Sequence, residues 1–68
     1  MSKLNEKDVL KYISDKQYAT VREVYSHFKV SRLTAYIFLK VMVAKGLLLA
    51  RKVGQTMVFE VNTEKLMP

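Results

Sequence analysis

Residues 20–48 read TVREVYSHFKVSRLTAYIFLKVMVAKGLL, and two helix starts inside this stretch set the architecture. Thr20-Val21-Arg22-Glu23 has the S/T-x-x-E form of a capping box. In that motif the Thr hydroxyl accepts from the amide three residues on, and the Glu carboxylate accepts from the Thr amide. Behind it, Val21, Val24, Tyr25 and Phe28 fall at i, i+3, i+4 and i+7. That single apolar stripe predicts a helix ending at Phe28 or Lys29. Val30 and Ser31 leave room only for a tight connection. Ser31 then caps a further helix over about Arg32–Lys45, with Ala35, Phe38, Leu39 and Met42 facing inward. Gly46 fits the left-handed position that closes a helix, and Lys45 complements the helix dipole just before it.

Upstream, Asn5 is placed to cap a first helix over about Glu6–Asp15, with Asp8 as its capping-box partner and Leu4 and Val9 at the hydrophobic-staple positions. Val9, Leu10 and Ile13 form its inner face. Gln17-Tyr18-Ala19 reads as a short extended link, and Tyr12 and Tyr18 as packing at the edge of the core. Downstream, Leu47–Val53 and Met57–Val61 are rich in β-formers and are joined by Gly54-Gln55-Thr56, the pattern of a hairpin. Leu47, Leu49 and Val53 are expected to face inward from one strand, and Met57, Phe59 and Val61 from the other. Asn62–Pro68 reads as a short tail. The expectation is one α+β domain over residues 1–68 with its core in about 5–61, and no repeat, linker or low-complexity tract.

The 68 residues carry 12 Lys+Arg against 6 Asp+Glu, a net charge of +6. Half are hydrophobic and 26% are charged, too apolar for a disordered basic tail and too charged for a membrane protein. The absence of Cys excludes disulfides, thiolate zinc sites, iron–sulfur clusters and cysteine nucleophiles. The lone His27 excludes a multi-histidine metal site within one chain and reads as a surface or boundary residue. The first eight residues are polar, unlike a signal peptide. The most apolar window, Leu33–Ala50, is broken by Lys40 and Lys45, each costing about 2.5–3.5 kcal/mol inside a bilayer. It reads as core, and the expected compartment is the cytoplasm. No metalloprotease helix, phosphate loop or nucleophile elbow occurs, so no catalytic residue, cofactor or small-molecule effector is expected.

The charge is unevenly placed. Residues 1–23 hold five basic and four acidic side chains, and residues 60–68 hold one basic and two acidic. Residues 24–59 hold Lys29, Arg32, Lys40, Lys45, Arg51 and Lys52 and no acid at all. An acid-free basic stretch is what a polyanion-binding face requires, since carboxylates would repel the ligand. Its plainer reading is a solvated surface.

Helix, short extended piece, helix, tight turn, helix and hairpin is the order of a winged helix-turn-helix. Val30, Ser31, Thr34, Leu39, Lys40 and Gly46-Leu47-Leu48 match a pattern of recognition helices: an apolar-Ser start, Thr three residues later, an inner Leu followed by Lys, and a closing Gly-Leu-aliphatic. Over roughly residues 5–61 the chain thus resembles bacterial and archaeal winged-helix regulators, including the ArsR and MarR types. The resemblance implies double-stranded DNA as partner, a homodimer, and transcription regulation. By position it implies that Ser31, Arg32, Thr34, Tyr36 and Lys40 face DNA from the third helix, and that Arg51, Lys52, Gln55 and Thr56 do so from the wing. Ser31 and Thr34 sit at a helix N-terminus, which favours phosphate, and Arg32 can grip a guanine in two places.

One pattern does not fit that picture. Relatives of that type usually carry polar groups at the positions of Ile37 and Val43, and here Leu33, Ile37, Val41 and Ala44 add a second apolar stripe to the third helix. One stripe suffices for the core. The second is expected to meet a protein partner through Leu33, Ile37 and Val41, or to be buried under the wing. The rival expectation is therefore a winged helix that serves as a protein-interaction module in a larger complex.

Overall fold

The computed structural model describes residues 4–63. They form α1 (Glu6–Lys16), β1 (Ala19–Thr20), α2 (Val21–Phe28), α3 (Arg32–Ala44), β2 (Leu48–Val53) and β3 (Thr56–Val61). The strands make one antiparallel sheet in the order β1-β3-β2. This is the expected α+β layout of three helices followed by a hairpin, a winged helix. Most of the predicted tail, residues 64–68, lies outside the described residues.

Each helix begins where its cap predicts. The Asp8 amide donates to Asn5 Oδ1 at 2.8 Å, and Leu4 and Val9 are both buried as the staple requires. Asp8 does not close a full capping box, because its carboxylate takes the Asn5 side-chain amide at 2.8 Å instead of the backbone. At α2 the box is complete: the Glu23 amide donates to Thr20 Oγ1 at 3.2 Å and the Thr20 amide to Glu23 Oε1 at 2.9 Å. α3 ends in a Schellman closure around Gly46, whose φ is +82°. The Leu47 amide reaches Met42 O and the Gly46 amide reaches Val43 O, both at 2.9 Å. The ends of α1 and α2 carry no glycine. Gln17 and Lys29 take positive φ values of 75° and 56° there.

The core is a single cluster. Phe59, Leu48 and Ala19 from the sheet meet Val9, Ile13, Val24, Ala35, Leu39 and Met42 from the helices. Five local expectations are corrected. The extended link lies at Ala19–Thr20, not Gln17–Ala19, and its pairing of Ala19 with Phe59 and Thr20 with Val58 makes the wing sheet three-stranded. The hairpin turn is two residues, Gly54-Gln55, because Val53 pairs with Thr56; Gly54 has φ +63°. Tyr18 is exposed, not packed. The inward face of β2 is shifted by one residue: Leu48 is buried, while Leu49 and Val53 are exposed on the far side. The Schellman turn uses Gly46 and Leu47, so the strand starts at Leu48, and a one-residue shift exchanges the two faces of a strand. On β3 the inward placement of Phe59 holds, but Met57 is exposed where the hairpin outruns the core. Val58 is 6% exposed on the opposite face, sheltered as part of the central strand between Thr20 and Arg51.

The hairpin is anchored to the end of α3. The Asn62 amide donates to Leu47 O and its side chain to Gly46 O, both at 3.0 Å. Asn62, expected as the first residue of the short tail, therefore closes the wing. No helix among the described residues is long and apolar enough to cross a membrane.

Candidate nucleic-acid interface

The exposed side of α3 carries two neighbouring stripes. Arg32, Tyr36 and Lys40 recur every four residues, as do Leu33, Ile37 and Val41. Consecutive helical residues are about 100° apart, so the two rows run side by side. The inward row of Ala35, Leu39 and Met42 is fully buried. Arg32 and Tyr36 turn toward the wing. With Arg22, Tyr25, Gln55 and Met57 they line an open groove of about 600 Å³ between the start of α2, α3 and the hairpin tip. Thr20, Val21 and Thr56 complete its lining, and among the described residues no carboxylate belongs to it. Lys40 Nζ sits 6.0 Å from the centre of the Tyr36 ring, a cation–π distance.

The sheet separates the two basic residues of the wing. Alternation sends Lys52 and Met57, which pair across the hairpin, to the side that carries Phe59 and the helices. Arg51 points to the opposite side, where its guanidinium meets Glu60 at 3.2 Å. Lys45 is likewise taken, by Glu6 of α1. Two of the six cations in the acid-free stretch thus have carboxylate partners from outside it. Among the described residues Lys29, Arg32, Lys40 and Lys52 form no ion pair, and neither does Arg22 of α2. These surface pairs contribute little to stability, about 0–1 kcal/mol each. Their consequence here is where positive charge stays uncompensated.

Ser31 and Thr34 hold one another. The Thr34 amide donates to Ser31 Oγ at 3.1 Å, and the Ser31 hydroxyl donates to Thr34 Oγ1 at 2.8 Å. Ser31 therefore acts as the helix cap, and its proton is directed to Thr34. Residues 31–34 are all exposed at the N-terminus of α3, the helix end that favours an anion.

The structure brings Arg32, Tyr36, Gln55 and Thr56 to one groove, keeps Lys40 and Lys52 beside it, and sets Arg51 apart. The sequence reading missed Arg22. The available signal was a cation in the first turn of a helix, where the dipole disfavours it. The second apolar stripe is not buried under the wing: Leu33 is 66% exposed, Ile37 52% and Val41 47%. His27 lies away from this face, stacked on Tyr12 with ring centres 4.1 Å apart and edge-on to Phe28.

Next to the groove, at the start of α2, Lys16 and Glu23 form an ion pair of 2.6 Å that ties α1 to α2. The Lys16 ammonium and then the Thr20 amide hold the Glu23 carboxyl below its ordinary value, and Glu23 in turn raises Lys16. Searches of protein-family models, curated proteins and solved structures returned no match to this chain.

Proposed function

We propose that this protein is a small winged-helix DNA-binding regulator of the cytoplasm that places α3 in a major groove and rests its hairpin on the backbone. One observation carries the reading: a groove between α3 and the wing lined by Arg22 and Arg32, polar at Gln55 and Thr56, and free of carboxylates. Lys40 and Lys52 stand unpaired at its borders. In this arrangement Arg32, Tyr36 and Lys40 address base edges, while Arg22, Thr34, Lys52, Gln55 and Thr56 address phosphates. Arg51 adds only what its pairing with Glu60 leaves. The two-residue turn is short, so the wing meets the backbone and does not reach deep into a minor groove. A homodimer would set two α3 helices about one helical turn of DNA apart and supply the contact area one domain lacks.

The test is fluorescence anisotropy of a labelled duplex at two salt concentrations, with molecular mass from light scattering. Expected is binding in the range of about 10⁻⁴–10⁻⁶ M on arbitrary sequence that weakens steeply with salt. Sequence selection should then yield a preferred site whose preference relaxes in Arg32→Ala. No binding at low salt overturns the reading. A second reading, a winged helix that binds only protein, is favoured by the exposure of Leu33, Ile37 and Val41.

A further inference from the structure

We infer that the Leu33–Ile37–Val41 stripe of α3 is a docking surface for an acidic amphipathic helix of a partner protein, and that this partner and DNA exclude one another. The three side chains lie at i, i+4 and i+8, a row about 12 Å long, the footprint of roughly two turns of a bound helix. They are 47–66% exposed although the same helix already buries Ala35, Leu39 and Met42 completely. The stripe is surplus to the fold.

Charge selects the occupant. Arg32 and Lys40 border the stripe along one side, neither is ion-paired among the described residues, and residues 24–59 contain no acid. A second copy of the chain meets this rim badly. Two α3 helices packed antiparallel about Ile37 would bring Arg32 of each copy to Lys40 of the other. A helix with apolar residues at matching spacing and Asp or Glu beside them covers the stripe and neutralises the rim together. Three apolar side chains make a small interface, so the complex should be weak and reversible. A helix about 10 Å across seated there also covers Tyr36 and Lys40, so the acidic partner displaces DNA. That displacement rests on the DNA reading above; the docking does not.

The test uses the full chain and two short helical peptides with Leu at i, i+4 and i+8, one with Glu flanking each Leu and one with Lys. Anisotropy of labelled peptide should show binding of the Glu peptide only, weakened by about tenfold in Ile37→Asn, where an exposed apolar contact is lost. Lys40→Glu should weaken the Glu peptide and admit the Lys peptide, a reversal that a misfolded variant would not give. Failure of the Glu peptide to bind, equal binding of both peptides, or indifference to Ile37→Asn overturns the proposal. So does a stable dimer whose mass halves in Ile37→Asn, which would make a second copy the occupant. With labelled duplex present, the Glu peptide should lower the anisotropy of bound DNA. Peptide binding without any DNA binding leaves the docking surface standing and removes the DNA reading; DNA and peptide bound together overturn the exclusion.

Discussion

Replacing Lys52 by Ala should lower the salt dependence of DNA binding, while replacing its neighbour Arg51 should hardly change it. The acid-free stretch alone offers six cations. If all six displaced counterions, log Kd would change with log salt by a slope of magnitude about 5.4, and affinity would fall about 1,800-fold between 50 and 200 mM salt. The structure offers a different set. Lys45 and Arg51 are paired with Glu6 and Glu60, and Lys29 lies on the α2–α3 turn. Arg22, Arg32, Lys40 and Lys52 form no ion pair among the described residues and lie around the groove and the exposed side of α3. Four contacts give a slope of about 3.6 and a loss of about 150-fold over the same range. Lys52→Ala should reduce the slope to about 2.7 on any DNA sequence, and Arg51→Ala should leave it at the parent value. Anisotropy titrations of one labelled duplex at four or more salt concentrations would measure this. Equal slope changes in the two variants would refute the argument that strand alternation and the Glu60 pair withdraw Arg51. A parent slope near the larger value would refute it as well.

Three further outcomes follow from the fold. Phe59 is fully buried on the central strand, so Phe59→Ala should cost about 3–5 kcal/mol, most of the stability of a domain this small, and thermal melts by circular dichroism should lose their cooperative transition; a retained sharp melt would remove Phe59 from the centre of the core. Thr20→Ala removes the hydroxyl half of the α2 capping box and should cost about 1 kcal/mol, lowering Tm by about 4–8 °C, with Thr20→Ser close to the parent; an unchanged Tm would mean that the box contributes nothing. Glu23 is held below its ordinary value of 4.5 by Lys16 and the Thr20 amide. Its contribution is therefore present above pH 4.5 and is lost as pH falls through the lowered folded value. Lys16 is raised from 10.5 by Glu23, so its share is present below pH 10.5 and is lost as pH rises through the raised folded value. Denaturant midpoints measured against pH should fall on the acid side in the parent and run flatter there in Glu23→Gln. A parallel acid limb in that variant would assign the loss to other carboxylates.

The fit between the DNA reading and the apolar stripe depends on their angular separation. Arg32, Tyr36 and Lys40 turn toward the wing, and Leu33, Ile37 and Val41 occupy the adjacent row. A winged helix that inserts α3 squarely into a groove would present both rows to DNA, and the apolar row has only thymine methyl groups to meet there. A tilted approach led by the wing side of α3 uses the basic row and leaves the apolar row at the margin. Leu49 and Val53, exposed on the far face of the sheet, lie outside either arrangement.

The sequence by itself determined the three helices and the hairpin. Their caps are hydrogen bonds between residues three to five apart, such as Asn5 to Asp8, Thr20 to Glu23 and Ser31 to Thr34, and such contacts are legible as short motifs. The candidate contact residues of α3 came from the resemblance to winged-helix regulators; helical periodicity adds only that they lie off the buried stripe. Only the tertiary structure decided the rest. Whether Leu48 or Leu49 faces the core turned on how many residues the Gly46 closure consumed, and a strand amplifies a shift of one residue into a reversal of faces. Ala19 and Thr20 became a strand because β3 was there to pair with them, and two residues carry no periodicity of their own. The free charge was decided in the same way. Lys45 and Glu6 are 39 residues apart in sequence, so composition counts both as available charges, whereas packing of α1 beside the end of α3 makes them partners. Arg22 reached the groove for the same reason: its neighbours there, Arg32, Tyr36 and Gln55, are brought to it by the fold and not by the chain.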